Sequence, residues 1–135
     1  MSGTAKTHVA ETVCGDYVTG RSPSANRWIG LLTVAPTDVA ATGTEVTTSG
    51  TGYARQPITF GAGVNQTPNG RLYTNNLAAA WALATANYGT ILEFAVYDAV
   101  TAGNMLFHDV MPGTPSVVTG QTASLPIGSV TYLED

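Results

Sequence analysis

The sequence predicts an all-β protein, an antiparallel β-sandwich of the jelly-roll or immunoglobulin-like kind, with a short N-terminal arm and helix. Three observations carry that expectation. Short apolar runs alternate with turn-forming clusters at roughly ten-residue intervals, the spacing of small sandwiches and barrels. No helical stretch has the length of a crossover between parallel strands, which takes about a dozen residues or more. Residues 89–111 contain two apolar runs, 91–97 and 105–111, on either side of Asp98-Ala-Val-Thr-Ala-Gly-Asn104. That intervening segment is rich in turn formers, with Gly103-Asn104 suited to positive φ, so the pair reads as a central β-hairpin.

Taken in order, residues 1–8 are small and polar and suggest an arm. Val9, Ala10, Val13, Cys14, Tyr17 and Val18 then recur at helical spacing up to Gly20. Residues 21–26 are a loop by composition, and 27–34 (RWIGLLTV) a largely apolar strand with Trp28 expected in the core. The expected division is therefore an arm and helix over 1–26 and a sandwich over 27–135. Residues 35–52 carry few large apolar side chains and read as a long surface loop. Residues 53–60 (YARQPITF) form the next strand, and Pro57, lacking an N–H, places it at a sheet edge or a bulge.

Residues 61–70 are turn-forming. Residues 71–81 (RLYTNNLAAAW) favour a strand that bends or pauses at Asn75-Asn76, and 82–88 a connector. In the central hairpin, Leu92, Phe94, Val96 and Asp98 share one face, which is nearly all apolar. Ile91, Glu93, Ala95 and Tyr97 share the other, where Glu93 implies water. The expected core is Leu92, Phe94, Val96, Leu106, Ile58 and Phe60. Short strands over 116–119, 122–126 and 129–133 close the chain.

At 135 residues the chain fits one domain. Charged residues make up only 10%, against about 25% in an average soluble domain. A surface made mostly of Thr, Ser, Asn, Gly and Ala has little charge repulsion and suits a protein packed in an assembly. The net charge is −4, and the five basic residues stand singly at Lys6, Arg21, Arg27, Arg55 and Arg71, which argues against nucleic acid as a partner. The lone Cys14 reads as a small buried thiol and excludes an intrachain disulfide framework. The first residues lack a basic region followed by an apolar core, and the longest apolar run, 77–84, is far below the roughly 20 residues that span a bilayer. No membrane partner is expected, and folding in a cytoplasm is.

Chemistry-bearing motifs are sparse. His8 and His108 belong to no His/Cys cluster and no HExxH, so no metal and no cofactor are expected. Neither a GxSxG elbow nor a GxxxxGK[ST] loop is present. Asp38, Glu93, Asp98 and Asp109 read as solvated carboxylates and turn caps, and nothing about their neighbourhoods suggests a catalytic cleft. Asn65-Gln-Thr67 matches a glycosylation sequon but is discounted for a chain without a signal peptide. Arg55 shares a strand face with Tyr53 and Pro57, from where its guanidinium can stack on an aromatic ring or pair with a carboxylate across an interface; a plain solvent-facing arginine is the alternative.

Four stretches together carry a resemblance: Trp28-Ile-Gly-Leu-Leu-Thr33; a Thr/Gly loop with Glu45-Val46; Gly52-Tyr-Ala-Arg-Gln-Pro57 with Ile58-Thr-Phe60; and Ala95-Val-Tyr-Asp-Ala99 with Gly103-Asn-Met-Leu106. Over about residues 27–133 the chain resembles small virion proteins of tailed bacteriophages that are commonly labelled tail-fibre-like. Residues 1–26 and the Ala-rich 76–86 depart from the pattern. The resemblance implies a non-enzymatic building block located in the virion. The expectation it favours is a capsid decoration or cement protein, a homotrimer bound to a major capsid protein or to other virion proteins. A tail or tail-fibre module is the alternative. A third class, a carbohydrate-binding or carbohydrate-acting domain, would use Trp28, Trp81, Tyr88 and Tyr97 at a sugar site. The interface candidates are Val9, Val13, Tyr17, Glu45, Tyr53 and Arg55.

Overall fold

The computed structural model describes residues 26–38 and 42–134. The expected arm and the helix over 9–20, with Val9, Val13 and Tyr17, lie outside the described residues. Within them the chain is all-β. Its strands are β1 (Trp28–Val34), β2 (Thr44–Glu45), β3 (Gln56–Pro57), β4 (Val64–Asn65), β5 (Arg71–Thr74) and β6 (Ala79–Ala80). They continue with β7 (Gly89–Thr90), β8 (Glu93–Tyr97), β9 (Met105–Val110), β10 (Ser116–Val117), β11 (Ser124–Leu125) and β12 (Thr131–Glu134).

The pairings are antiparallel throughout, in a sandwich-like arrangement of several sheets. In the central sheet β1 pairs with β8 on one side, and β8 pairs with β9 to complete the expected hairpin. On its other side β1 meets β2 and β3. Pro57, on β3 at the sheet margin, costs no central ladder bond there. A second sheet has the order β12-β5-β4, and β6/β11 and β7/β10 form two further short two-stranded ladders.

The central sheet is buried on both faces. Ile29, Leu31, Phe94, Val96 and Phe107 face the main core, with Ile58, Ile91, Leu125 and Val130. Aromatic contacts tie the two sheets together: Phe107 lies 6.1 Å from Phe60 and 5.0 Å from Tyr132, which is 6.3 Å from Tyr73. Of these only Phe107 is buried, and burying a side chain of that kind contributes about 1.5–3 kcal/mol. On the opposite face Leu32, Ala95, Tyr97 and Met105 form a smaller cluster.

That second cluster narrows the expectation of a partly wet face: Ala95 and Tyr97 are buried there and Glu93 keeps partial exposure, while Ile91 turns into the main core. Leu92, expected in the core, is 39% exposed. The chain turns between β7 and β8, with Ile91 N–H donating to Pro115 O and Leu92 N–H to Leu32 O. The period-2 alternation therefore does not run through residues 91–94, and Ile91 takes the core position instead. Phe60 is half-buried against Phe107, and Trp28 is half-buried while Trp81 occupies the core. The expected strand over 53–60 is reduced to β3, and the 35–52 loop contains β2.

The pause at Asn75 is present and has a physical cause. Its buried side chain donates to Leu77 O and Pro126 O and accepts from Gly128 N and Val130 N. These bonds clasp the turn between β5 and β6 to the segment before β12.

Candidate functional site

The second face of the central sheet carries the polar constellation of the molecule. Antiparallel register sets Gly30 of β1 opposite Ala95 of β8, and β2 brings Glu45 opposite Leu32. The segment entering β3 adds Tyr53 and Arg55. The Arg55 side chain, 8% exposed, meets Glu45 side-on, with Nε 2.8 Å and Nη2 3.0 Å from its two carboxylate oxygens. Its Nη1 donates to Ala99 O at 2.8 Å and Ala102 O at 2.7 Å, both in the hairpin loop after β8. The guanidinium carbon stands 3.4 Å over the Tyr97 ring. Arginine suits this place because its rigid fork serves a carboxylate, two carbonyls and an aromatic face at once.

Tyr53 completes the cluster. Its hydroxyl donates to Glu45 Oε2 and accepts from Leu31 N, each at 2.9 Å. Burial, together with the Glu45 charge, raises the Tyr53 hydroxyl well above the ordinary tyrosine range. Burial and Glu45 likewise push Tyr97 up to about 12. Gly30 is the enabling residue, since a Cβ there would lie 2.7 Å from Glu45 Oε2 and 2.8 Å from Tyr53 OH. The W-I-G, G-Y-A-R and A-V-Y-D segments, remote in sequence, thus converge on one clamp.

The hairpin loop is set by its own residues. Gly103 has φ +69° and Ala102 φ 51°, so the positive-φ pair is Ala102-Gly103 rather than Gly103-Asn104. Asp98 accepts from Asn104 N at 2.7 Å and Nδ2 at 2.9 Å. Partial burial raises the Asp98 carboxyl, but the Asn104 hydrogen bonds, with Arg27 nearby, outweigh it and hold it below the usual carboxylate range. Between clamp and loop lies a recess of about 230 Å³, bordered by Thr42, Gly43, Glu45, Arg55, Tyr97 and Gly103.

Further along the same face, His108 pairs directly with Ala95 across β8 and β9. Its Nδ1 is 2.7 Å from Glu93 Oε1 and its Nε2 3.0 Å from Asp38 Oδ1. Glu93 and Asp38, expected as solvated carboxylates, grip this imidazole instead. Asp98 and Asp109 act as turn and backbone caps. The grip was hidden in the sequence because Asp38 is remote from β9; the only local hint was that Glu93 shares a face with Ala95.

Of the interface candidates, Glu45, Tyr53 and Arg55 are brought together here and bonded to one another. Val9, Val13 and Tyr17 lie outside the described residues. Of the aromatics considered for a sugar site, Trp81, Tyr88 and Tyr97 are buried and Trp28 is half-buried. Among the described residues no group of three or more His, Cys, Asp and Glu side chains could hold a metal ion, and no helix is long and apolar enough to cross a membrane.

A two-faced β-module whose charged side chains tie its own loops together has the character of a structural protein. The chain belongs to the family described as podophage GP4 fiber I protein gp80, whose model matches residues 1–132. It is thus a structural bacteriophage virion protein of the fibre type. No curated protein matches the chain.

Proposed function

We propose that the chain is a non-enzymatic module of a podophage tail fibre. The observation that carries this reading is the match to a fibre-protein family over residues 1–132. The polar site supports it, because Arg55, Glu45 and Tyr53 bind one another and both ring nitrogens of His108 are taken by carboxylates. An imidazole engaged on both sides is not placed to activate a nucleophile. The capsid decoration role favoured by the sequence resemblance fits the low charge equally, but the family description favours the fibre.

Assembly as a homotrimer with other virion proteins is part of the proposal, with no nucleic-acid or membrane partner. A charge-poor chain that exposes Val34, Leu83, Val110 and Ile127 has apolar surface to share between copies. Immunogold labelling of intact virions tests the placement: label on the tail appendages is expected, and label confined to the capsid shell would overturn it. Native mass spectrometry tests the assembly, with a trimer expected and a monomer at high concentration counting against it.

A further inference from the structure

Among the described residues β4 is the outer strand of the β12-β5-β4 sheet, and an outer strand turns half of its backbone groups toward whatever comes alongside. Register identifies those groups. Gln66 N donates to Gly70 O, and Val64 stands opposite Leu72 with Asn65 opposite Arg71. Hydrogen-bonded pairs therefore fall at 66/70 and 64/72, and Gly63 and Asn65 direct their N–H and C=O groups away from β5. Between them Val64, a β-branched residue of the kind strands favour, is 63% exposed.

The outward carbonyls are covered by side chains of the same hairpin. Arg71 reaches across β4 from β5, its Nη2 donating to Gly63 O at 2.6 Å and its Nη1 to Asn65 Oδ1 at 3.2 Å. Gln66 Nε2 donates to Val64 O at 3.0 Å and to Asn65 O at 3.3 Å. The crossing needs a glycine at 63, since a Cβ there would lie 2.8 Å from Arg71 Nε and 2.7 Å from Tyr73 Cζ. Arg71 is itself exposed and belongs to neither apolar cluster. Other strands carry related devices: Asp109 Oδ1 accepts from Val110 N on β9, and Pro57 on β3 has no N–H to offer.

We propose that the β4 edge is a strand-docking surface for a second copy of this chain, held shut by Arg71 with the help of Gln66. The occupant is β4 of that copy, laid antiparallel, because each edge then offers the outward Asn65 N–H that the other's carbonyls accept. Arg71 closes the surface in two ways. Its guanidinium already occupies Gly63 O, and two copies approaching β4 to β4 set their Arg71 cations against each other. Copies of the chain therefore meet through other surfaces while Arg71 is in place, and pair edge to edge once it is removed. The inference concerns this edge alone and rests neither on the fibre placement nor on the trimer.

Sedimentation of the full chain over a range of concentrations tests this, with the wild type's own mass as the baseline, so that failure of the trimer reading leaves the comparison intact. Arg71→Ala, a change at an exposed side chain, should keep the wild-type far-ultraviolet circular dichroism. Its mean mass should rise with concentration to at least about twice that of the wild type. Amide exchange of Asn65 locates the contact: it should be fast in the wild type and become protected as the variant associates. Adding Asn65→Pro to Arg71→Ala removes the outward N–H and should restore the wild-type mass. Arg71→Ala staying at the wild-type mass at every concentration would overturn the proposal. So would an association that leaves Asn65 exchange unchanged, or one that survives Asn65→Pro.

Discussion

Arg55 is where three parts of the chain are held at one point, and its removal should show what that is worth. Arg55→Ala leaves Glu45 without its counter-charge and frees two loop carbonyls, and a loss of about 3 kcal/mol is expected in denaturant unfolding. Arg55→Lys should recover less than half of that loss, because an ammonium cannot reproduce the side-on fork. Asp98 gives a second test through pH. Its folded-state carboxyl titrates below its unfolded value, so its contribution is present above about pH 4 and is lost as pH falls through the depressed folded value. The acid limb of a plot of Tm against pH should therefore be flatter in Asp98→Asn than in the wild type. That Arg55 could stack on a ring or pair with a carboxylate was legible from its residue type only as a contact across an interface, beside the reading of a plain solvent-facing arginine; the contacts lie within the chain. Which ring and which carboxylate were not legible, because Tyr97 and Glu45 meet it only through strand pairing.

The central hairpin shows the same limit at the level of an element. Its strands and turn were legible from apolar runs and turn formers, and Phe94 and Val96 lie in the core as the alternation requires. Leu92 is not, since the turn before β8 passes the core position to Ile91, and periodicity carries no trace of such an offset. The two positions should behave differently when truncated. Phe94→Ala is expected to cost about 3–5 kcal/mol and Leu92→Ala under about 1 kcal/mol, both by denaturant unfolding. The two-residue β2 was illegible inside the 35–52 loop, and the shortening of the expected 53–60 strand to β3 was illegible too, for a related reason. Both strands are fixed by partners on β1 rather than by any pattern of their own.

Across the whole molecule, β1 and β8 furnish side chains to both apolar clusters, so neither cluster persists without the other. Unfolding is expected to be a single transition, with tryptophan fluorescence, which reports Trp81 in the main core and Trp28 near the clamp, coinciding with far-ultraviolet circular dichroism. Separated midpoints would mean that the two faces melt independently. The sandwich class was legible at this scale because it needs only strand-length runs and turns. The fastening of the second face was not, because it is made by side chains that meet only once the strands are paired.

The fork of Arg55 also gives the hairpin a mechanical character. The β1 and β8 strands run side by side over five paired positions, from Trp28 with Tyr97 to Leu32 with Glu93. Tension along them loads these rungs in shear, so they share the force instead of opening in sequence. At the loop end, the grip on Ala99 and Ala102 ties the hairpin tip to the far side of the sheet. A pull on the tip is thereby passed through Arg55 and Glu45 into β2 and β1, and peeling cannot start at the turn until that rivet gives way.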